Sequence, residues 1–353
     1  MSTRYRVIRT CGGRISFLVE KNSLVVLLIL ATAAIMFFIL GLGLGGVWIP
    51  PERVVQALWG EGTAQELLIV NSFRLPRIIT GFLVGAALAI SGVMLQAIVR
   101  NPLASPEAAG MVGGASVAAV GFLTFTPGVS IHWLPLPAFA GALLATLFVY
   151  LLAWKRGVSP MILILIGIGI SMAARGLTMI FIAMGDIYSA SQAVIWLTGS
   201  LYGSSWQTVW ILFPWLAVFL PLTFYWSRDL NVLQLGESVG AAVGCPVQRK
   251  IILLVITSAA LSGSAVAFAG AIGFVGLIAP HMTRMLVGPS HERLIPAAAI
   301  SGGVLVMSAD LLARTGIPPY DLPAGLFTAA VGAPFFLYLL HRNYGRRIHR
   351  GGI

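Results

Sequence analysis

Apolar stretches of roughly 20 residues, nearly free of charge, recur from one end of this chain to the other, and each is long enough to cross a hydrocarbon core about 30 Å thick. They fall near residues 23–46, 78–98, 107–126, 135–153, 160–184, 206–226, 251–269, 272–288, 294–312 and 324–340. Only 9% of the 353 residues are charged, against roughly one quarter in a soluble chain. The expectation is an all-α polytopic membrane protein with about ten transmembrane helices.

Lysine and arginine accumulate on cytoplasmic loops of membrane proteins. With the N-terminus inside, seventeen of the 22 lysines and arginines fall on cytoplasmic segments, Arg53, Arg74, Arg77 and Arg314 fall outside, and Arg175 lies within a span. Both termini are then cytoplasmic, with an N-terminal segment at 1–22 and a basic tail at 341–353. The net charge of +11 sits on short loops at one face, which is orientation during insertion rather than a nucleic-acid surface. Cys11 and Cys245 share that reducing side, so no disulfide is expected, and their separation fits no metal site. The first span has no small-residue cleavage site after it and reads as an anchor.

No linker divides the chain, so residues 1–353 are expected to form a single transmembrane domain. Glycine-rich runs such as "GFLVGAALAISG" (81–92) and "GMVGGASVAAVG" (110–121) have the small-residue spacing that lets helix backbones approach closely. "AALAISG" (86–92) is echoed by "SAALSG" (258–263), five spans apart and so opposite in direction, as an inverted repeat would be. Two stretches are too apolar for free loops. Residues 190–206 read as a short helix over the outer mouth. Residues 227–250 read as two short cytoplasmic helices with a turn, whose apolar face meets either a partner protein or the lipid surface.

The chain has little chemical equipment. None of its eleven acidic residues is expected at the middle of a span, which disfavours a stand-alone proton- or sodium-coupled carrier. A P-loop needs Gly-Lys followed by Ser or Thr, and the only lysines, Lys21, Lys155 and Lys250, follow Glu, Trp and Arg. Any ATP is therefore hydrolysed by another chain. No Ser-His-Asp, HExxH or CxxC pattern is present, so an intramembrane enzyme has no support.

"RLPRIITGFLVGAALAISGVMLQAIVRNPLASPEAAG" (74–110), "WLTGSLYGSSW" (196–206), "LGESVGAAVG" (235–244), "GAIGFVGLIAPHMTR" (270–284) and "LPAGLFTAAVGAPFFLYLL" (322–340) together resemble the permease subunits of the iron-siderophore, haem and vitamin B12 class of ABC importers, the FecCD-type permeases. The resemblance covers nearly all of the chain after residue 45, with Ala271 where many relatives have proline and Ala279 where they have a larger aliphatic. It implies a type II ABC importer permease fold and a bacterial cytoplasmic-membrane location. It also implies a dimer with an identical or homologous permease, two ATPase subunits inside that use ATP and Mg, and a substrate-binding protein outside. This chain itself would bind no cofactor. Ferric siderophores are the expected substrate, with vitamin B12 or haem as the alternative.

The resemblance also places roles. Gly236, Glu237, Ala241, Val243 and Gly244 fall on the ATPase-coupling segment. Pro280, which frees a backbone carbonyl and bends its helix, would orient His281 and Arg284 to support that segment; the competing reading is a helix-end kink with a snorkelling arginine. Arg74, Arg77 and Arg314 are expected as exposed cations receiving carboxylates of the binding protein. Asn101 and Leu103 are candidates for a cytoplasmic gate, and Ser159 for a second. Arg175, a charge inside a span, is functional by default and faces either the pathway or a neighbouring helix.

Overall fold

Each apolar stretch is a helix in the computed structural model, which describes residues 5–10, 15–153, 160–317 and 320–348. A hairpin of β1 (Tyr5–Thr10) and β2 (Ile15–Glu20) precedes α1 (Lys21–Gly43), so a small sheet is added to the expected helices. The short α2 (Pro51–Leu58) and α3 (Ala64–Leu67) follow, and α3 runs through a π-helical stretch, Leu68–Arg74, into α4 (Leu75–Val99). Next come α5 (Met111–Phe125), α6 (Pro135–Ala153), α7 (Pro160–Met184), the short α8 (Ile187–Thr198) and α9 (Trp206–Tyr225). The chain closes with α10 (Ser227–Leu235), α11 (Glu237–Ala242), α12 (Val247–Ala269), α13 (Val275–Val287), α14 (His291–Thr315) and α15 (Ala324–Ile348).

The ten apolar helices lie where spans were expected, and the two interrupted stretches are helical too. Residues 190–206 hold most of α8, whose start is capped by Asp186; the carboxylate accepts the Ser189 N–H at 2.9 Å and is held by it below the usual carboxylate range. Residues 227–250 give α10 and α11, with the turn at Gly236, whose φ of 117° suits glycine. The end bearing α10 and α11 is called here the basic face, and the end bearing α2 and α8 the opposite face.

Burial separates two kinds of helix. The apolar window of α4 is 89% buried, whereas those of α1, α7 and α9 are 6%, 17% and 17% buried. Helices apolar all round and left uncovered must face lipid or a partner. The core closes on α4 and α14, where a Cβ on Gly85 would lie 2.1 Å from the Gly302 carbonyl oxygen, so glycine is what lets these backbones touch. The echoed segments meet as well. The Ser91 and Ser258 hydroxyls are 2.6 Å apart, and each also reaches the other's carbonyl.

Two expected spans need correction, because α5 and α13 do not run surface to surface. With 15 and 13 residues they are about 22 and 20 Å long at roughly 1.5 Å per residue, short of a 30 Å core. Both start inside the bundle. The sulfur of Met111, the first residue of α5, accepts from Ser262 Oγ at 3.2 Å, well inside α12. Gly276, in the first turn of α13, packs on Gly92 in α4, where a Cβ would meet its carbonyl oxygen at 1.8 Å. Prolines and positive-φ residues hold the preceding segments out of helix: Pro102, Pro106 and Gly110 before α5, Gly270 and Phe274 before α13.

Candidate functional site

The two broken helix starts meet each other. Glu107, just ahead of α5, accepts the backbone N–H of Phe274, just ahead of α13, on Oε1 at 3.1 Å. A carboxylate there satisfies one of the orphan donors of a helix N-terminus and complements its partial positive charge. Phe274 has a φ of 67°, a left-handed conformation costing about 1–2 kcal/mol in a side-chain-bearing residue. Its ring packs against Gly332 of α15, where a Cβ would lie 2.4 Å from the ring. The expectation that no acid lies deep is overturned by Glu107. Its neighbour Pro106 packs on Gly276, which sits against Leu88 and Gly92, midway along α4.

Around this contact lies a cavity of about 450 Å³, reached by Glu107, Ser171, Arg175, Thr178 and Phe274. Ser171, Arg175 and Thr178 are four and three residues apart and share one face of the otherwise apolar α7. The serine and threonine are committed: Ser171 Oγ donates to the Glu107 carbonyl oxygen at 2.8 Å, and Thr178 Oγ1 to Ala174 of its own helix at 2.8 Å. Arg175 is exposed and pairs with no carboxylate among the described residues. It is the uncommitted cation of the cavity. Met172 and Met179 beside it on α7 are 68% and 67% exposed, so the α7 wall lies at the surface of the chain.

The arginines of the opposite face are arranged otherwise. Arg77 makes a fork to Asp310 (2.8 and 3.0 Å) and a second one to Asp321 (2.6 and 2.8 Å). Arg314 donates to the Gly41 carbonyl and has Nε 3.7 Å from Asp310. Arg74 donates to the carbonyls of Leu42, Gly43 and Val47. Their side chains are buried or nearly so, with Arg77 and Arg314 at 13% and 11% exposure. The exposure that the docking expectation requires is absent. These cations tie the end of α1 to α4, α14 and the segment holding Asp321, and a buried charge has to be spent on such partners.

On the basic face, Asn101 and Leu103 form a tight turn, the Asn101 carboxamide accepting the Leu103 N–H at 2.9 Å; Ser159 lies outside the described residues. Arg100, at the end of α4, lies 3.9 Å from Glu237 of α11. Val243 is exposed, as are Leu235 and Val239, so the coupling segment presents an apolar surface along with Ala241 and Gly244, while Gly236 is buried at the turn. Pro280 is buried within α13, and His281 stacks edge-on against Phe335 of α15. Nε and Nη2 of Arg284 are enclosed with no acceptor among the described residues. The polar link from the coupling segment into the bundle is made by residues the sequence did not single out. Asn231 of α10 accepts from the His291 backbone N–H at 2.9 Å, contacts its Nδ1 at 2.8 Å, and donates to Glu292 at 3.0 Å.

Known proteins share this architecture. A family model described as the FecCD transport family matches residues 32–342. A Bacillus subtilis protein described as a siderophore transport system permease, YfhA, is 45% identical over 92% of this chain and 96% of its own length. The cobalamin import permease BtuC of Halobacterium salinarum is 42% identical over 79% of this chain and 74% of its own. Among solved structures, an ABC transporter of the metal-chelate type in an inward-facing conformation superposes with a TM-score of 0.79 at 30% identity, covering 90% of this chain and 99% of the other.

Proposed function

The chain belongs to the FecCD transport family, and we propose that it is the membrane permease subunit of an ATP-binding-cassette importer for ferric siderophore chelates. The observation that carries this is the cavity at mid-bundle, largely apolar but reached by Glu107 and Arg175, walled by two broken helix starts and open along α7, with Arg175 uncommitted. Helices broken at membrane depth are tolerated where they line a path.

Half of that path is missing from one chain. Gly169 and Gly176 of α7 have open space where a Cβ would be, and with Met172 and Met179 they form a small-residue and methionine face suited to a second permease. Arg175 of each copy then lines a shared conduit, where a guanidinium favours an anionic chelate. Leu235, Val239 and Val243 offer an apolar surface to an ATPase, as a helix does to a groove. Movement there reaches α14 through Asn231 and α4 through Arg100 and Glu237. ATP and Mg belong to the ATPase chains. The substrate-binding protein docks on the opposite face, where Trp59, just past α2, and Tyr188 of α8 are exposed. The charge rule puts both termini in the cytoplasm of a bacterial-type cell.

Uptake of radiolabelled iron from a panel of ferric siderophores, and of labelled cobalamin, tests this in cells with and without the gene and with an inactivated partner ATPase. Loss of uptake of a ferric chelate in both mutants is the expected result. Loss of cobalamin uptake alone would keep the transporter and replace the substrate, and transport surviving without the ATPase would point to a stand-alone carrier.

A further inference from the structure

On the basic face a cleft of about 880 Å³ opens between the end of α9 and the starts of α10, α12 and α14. Pro221, Phe224 and Tyr225 form one wall, and Arg228, Lys250 and Arg293 supply cations from three different helices. Two carboxylates also line it, and both are committed. Asp229 lies 2.6 Å from the Lys250 ammonium, while Glu292 accepts from Asn231 at 3.0 Å and from Ser290. Arg293 reaches Ser23 of α1 at 3.4 Å. Arg228 is exposed and pairs with no acid among the described residues. Arg228 is therefore the cation of the cleft that no carboxylate of the described residues engages.

The position of the cleft says what kind of anion would enter. Its apolar wall continues the outer surface of α9, where Trp210, Phe213, Val218 and Tyr225 are 66%, 52%, 60% and 77% exposed. That helix is apolar all round and only 17% buried, so its uncovered surface suits acyl chains. The cations therefore stand at the height of the headgroups, at the foot of a lipid-facing helix. Apolar surface above and guanidinium groups below match a phosphodiester carrying two chains.

We propose that this cleft is a binding site for one anionic phospholipid of the cytoplasmic leaflet, its phosphate held by Arg228 and Arg293 and its chains lying along α9. The lipid would brace α9 and α12 against the first turn of α10, which begins the coupling segment. The site is separate from the transport cavity and does not depend on which chelate is carried.

The test is native mass spectrometry of the full-length chain extracted from vesicles of equal phosphatidylcholine and phosphatidylglycerol. Wild type should retain phosphatidylglycerol in preference. Arg228→Gln should lower that retention about fivefold, the effect of roughly 1 kcal/mol per basic residue near an anionic surface, and Arg228→Gln with Arg293→Gln should erase the preference. Arg249→Gln, which removes an exposed cation of the same face outside the cleft, should behave as wild type. Equal retention of the two lipids by wild type would overturn the site, as would a fall in Arg249→Gln matching that in Arg228→Gln. Soluble glycerol phosphate displacing the lipid at equal concentration would show a phosphate site that does not need the chains, against the proposal. Unchanged lipid retention in Arg228→Gln with weakened binding of the ATPase subunit would make the cleft a protein contact instead.

Discussion

Arg77, in the first turn of α4, and Arg175, well inside α7, are both cations on long apolar helices, and the fold treats them in opposite ways. Arg77 uses its guanidinium on two carboxylates, Asp310 and Asp321, and stands in a group with Arg74 and Arg314 whose donors go to backbone carbonyls or to Asp310. Arg175 lines a cavity and pairs with no acid among the described residues. A buried charge that is fully engaged holds helices in place, because any other arrangement strands it in an apolar medium. A charge left free at a cavity wall does nothing for the fold that a neutral residue would not do. The difference separates scaffold from conduit within one chain.

The comparison breaks most readily at Asp310. It is 4% exposed at its side chain and is the carboxylate shared by Arg77 and Arg314. Asp310→Ala leaves Arg314 with the Gly41 carbonyl alone, and removing one partner of a buried pair costs about 3–5 kcal/mol. We expect a large loss of folded protein after heating in detergent, followed by size-exclusion chromatography. A variant as heat-stable as wild type would return Arg77 and Arg314 to the role of docking cations.

A smaller effect is expected where backbones touch. Gly92→Ala forces a methyl group against the Gly276 carbonyl at the start of α13, and overpacking of this kind costs about 1–3 kcal/mol. Gly169→Ala on the uncovered face of α7 meets nothing, and it should leave stability of the single chain within about 0.5 kcal/mol. Thermal melts of the two variants side by side show whether glycine is used for contact in one place and left available for a partner in the other. If both fall equally, α7 is packed in a way this chain alone does not explain.

These contrasts also mark what could be read in the sequence. The ten helices were legible because hydropathy over twenty residues is a long, redundant signal. The two helices around Gly236 were legible from a short periodic run ending in glycine. The broken starts of α5 and α13 were not, since "GMVGGASVAAVG" (110–121) and "GFVGLIAP" (273–280) are equally apolar whether the helix begins at the surface or at mid-depth. Nor was the partnership of Arg77 with Asp310, which lies 233 positions away. A charge at a loop end reads as exposed in sequence, whereas the fold carries the acid to it. Arg175 is legible as a charge within a span, and the spacing of Ser171, Arg175 and Thr178 at four and three residues is the sequence signal of its polar stripe.

The smallest effect on the fold is expected at Arg175 itself, and there the comparison is sharpest. Arg175→Gln removes a side chain that touches no acid and should change the melting behaviour by no more than about 0.5 kcal/mol. Transport should respond very differently. Losing one charge-assisted hydrogen bond to a passing anion corresponds to about a tenfold fall in the uptake rate of a negatively charged ferric citrate-type chelate. A neutral ferric trihydroxamate, which gains little from a guanidinium, should cross at close to the wild-type rate. Equal loss for both chelates would mean that Arg175 serves the gate or the second permease rather than the charge of the cargo. A marked drop in stability would mean that it is paired after all, by a residue of the neighbouring copy.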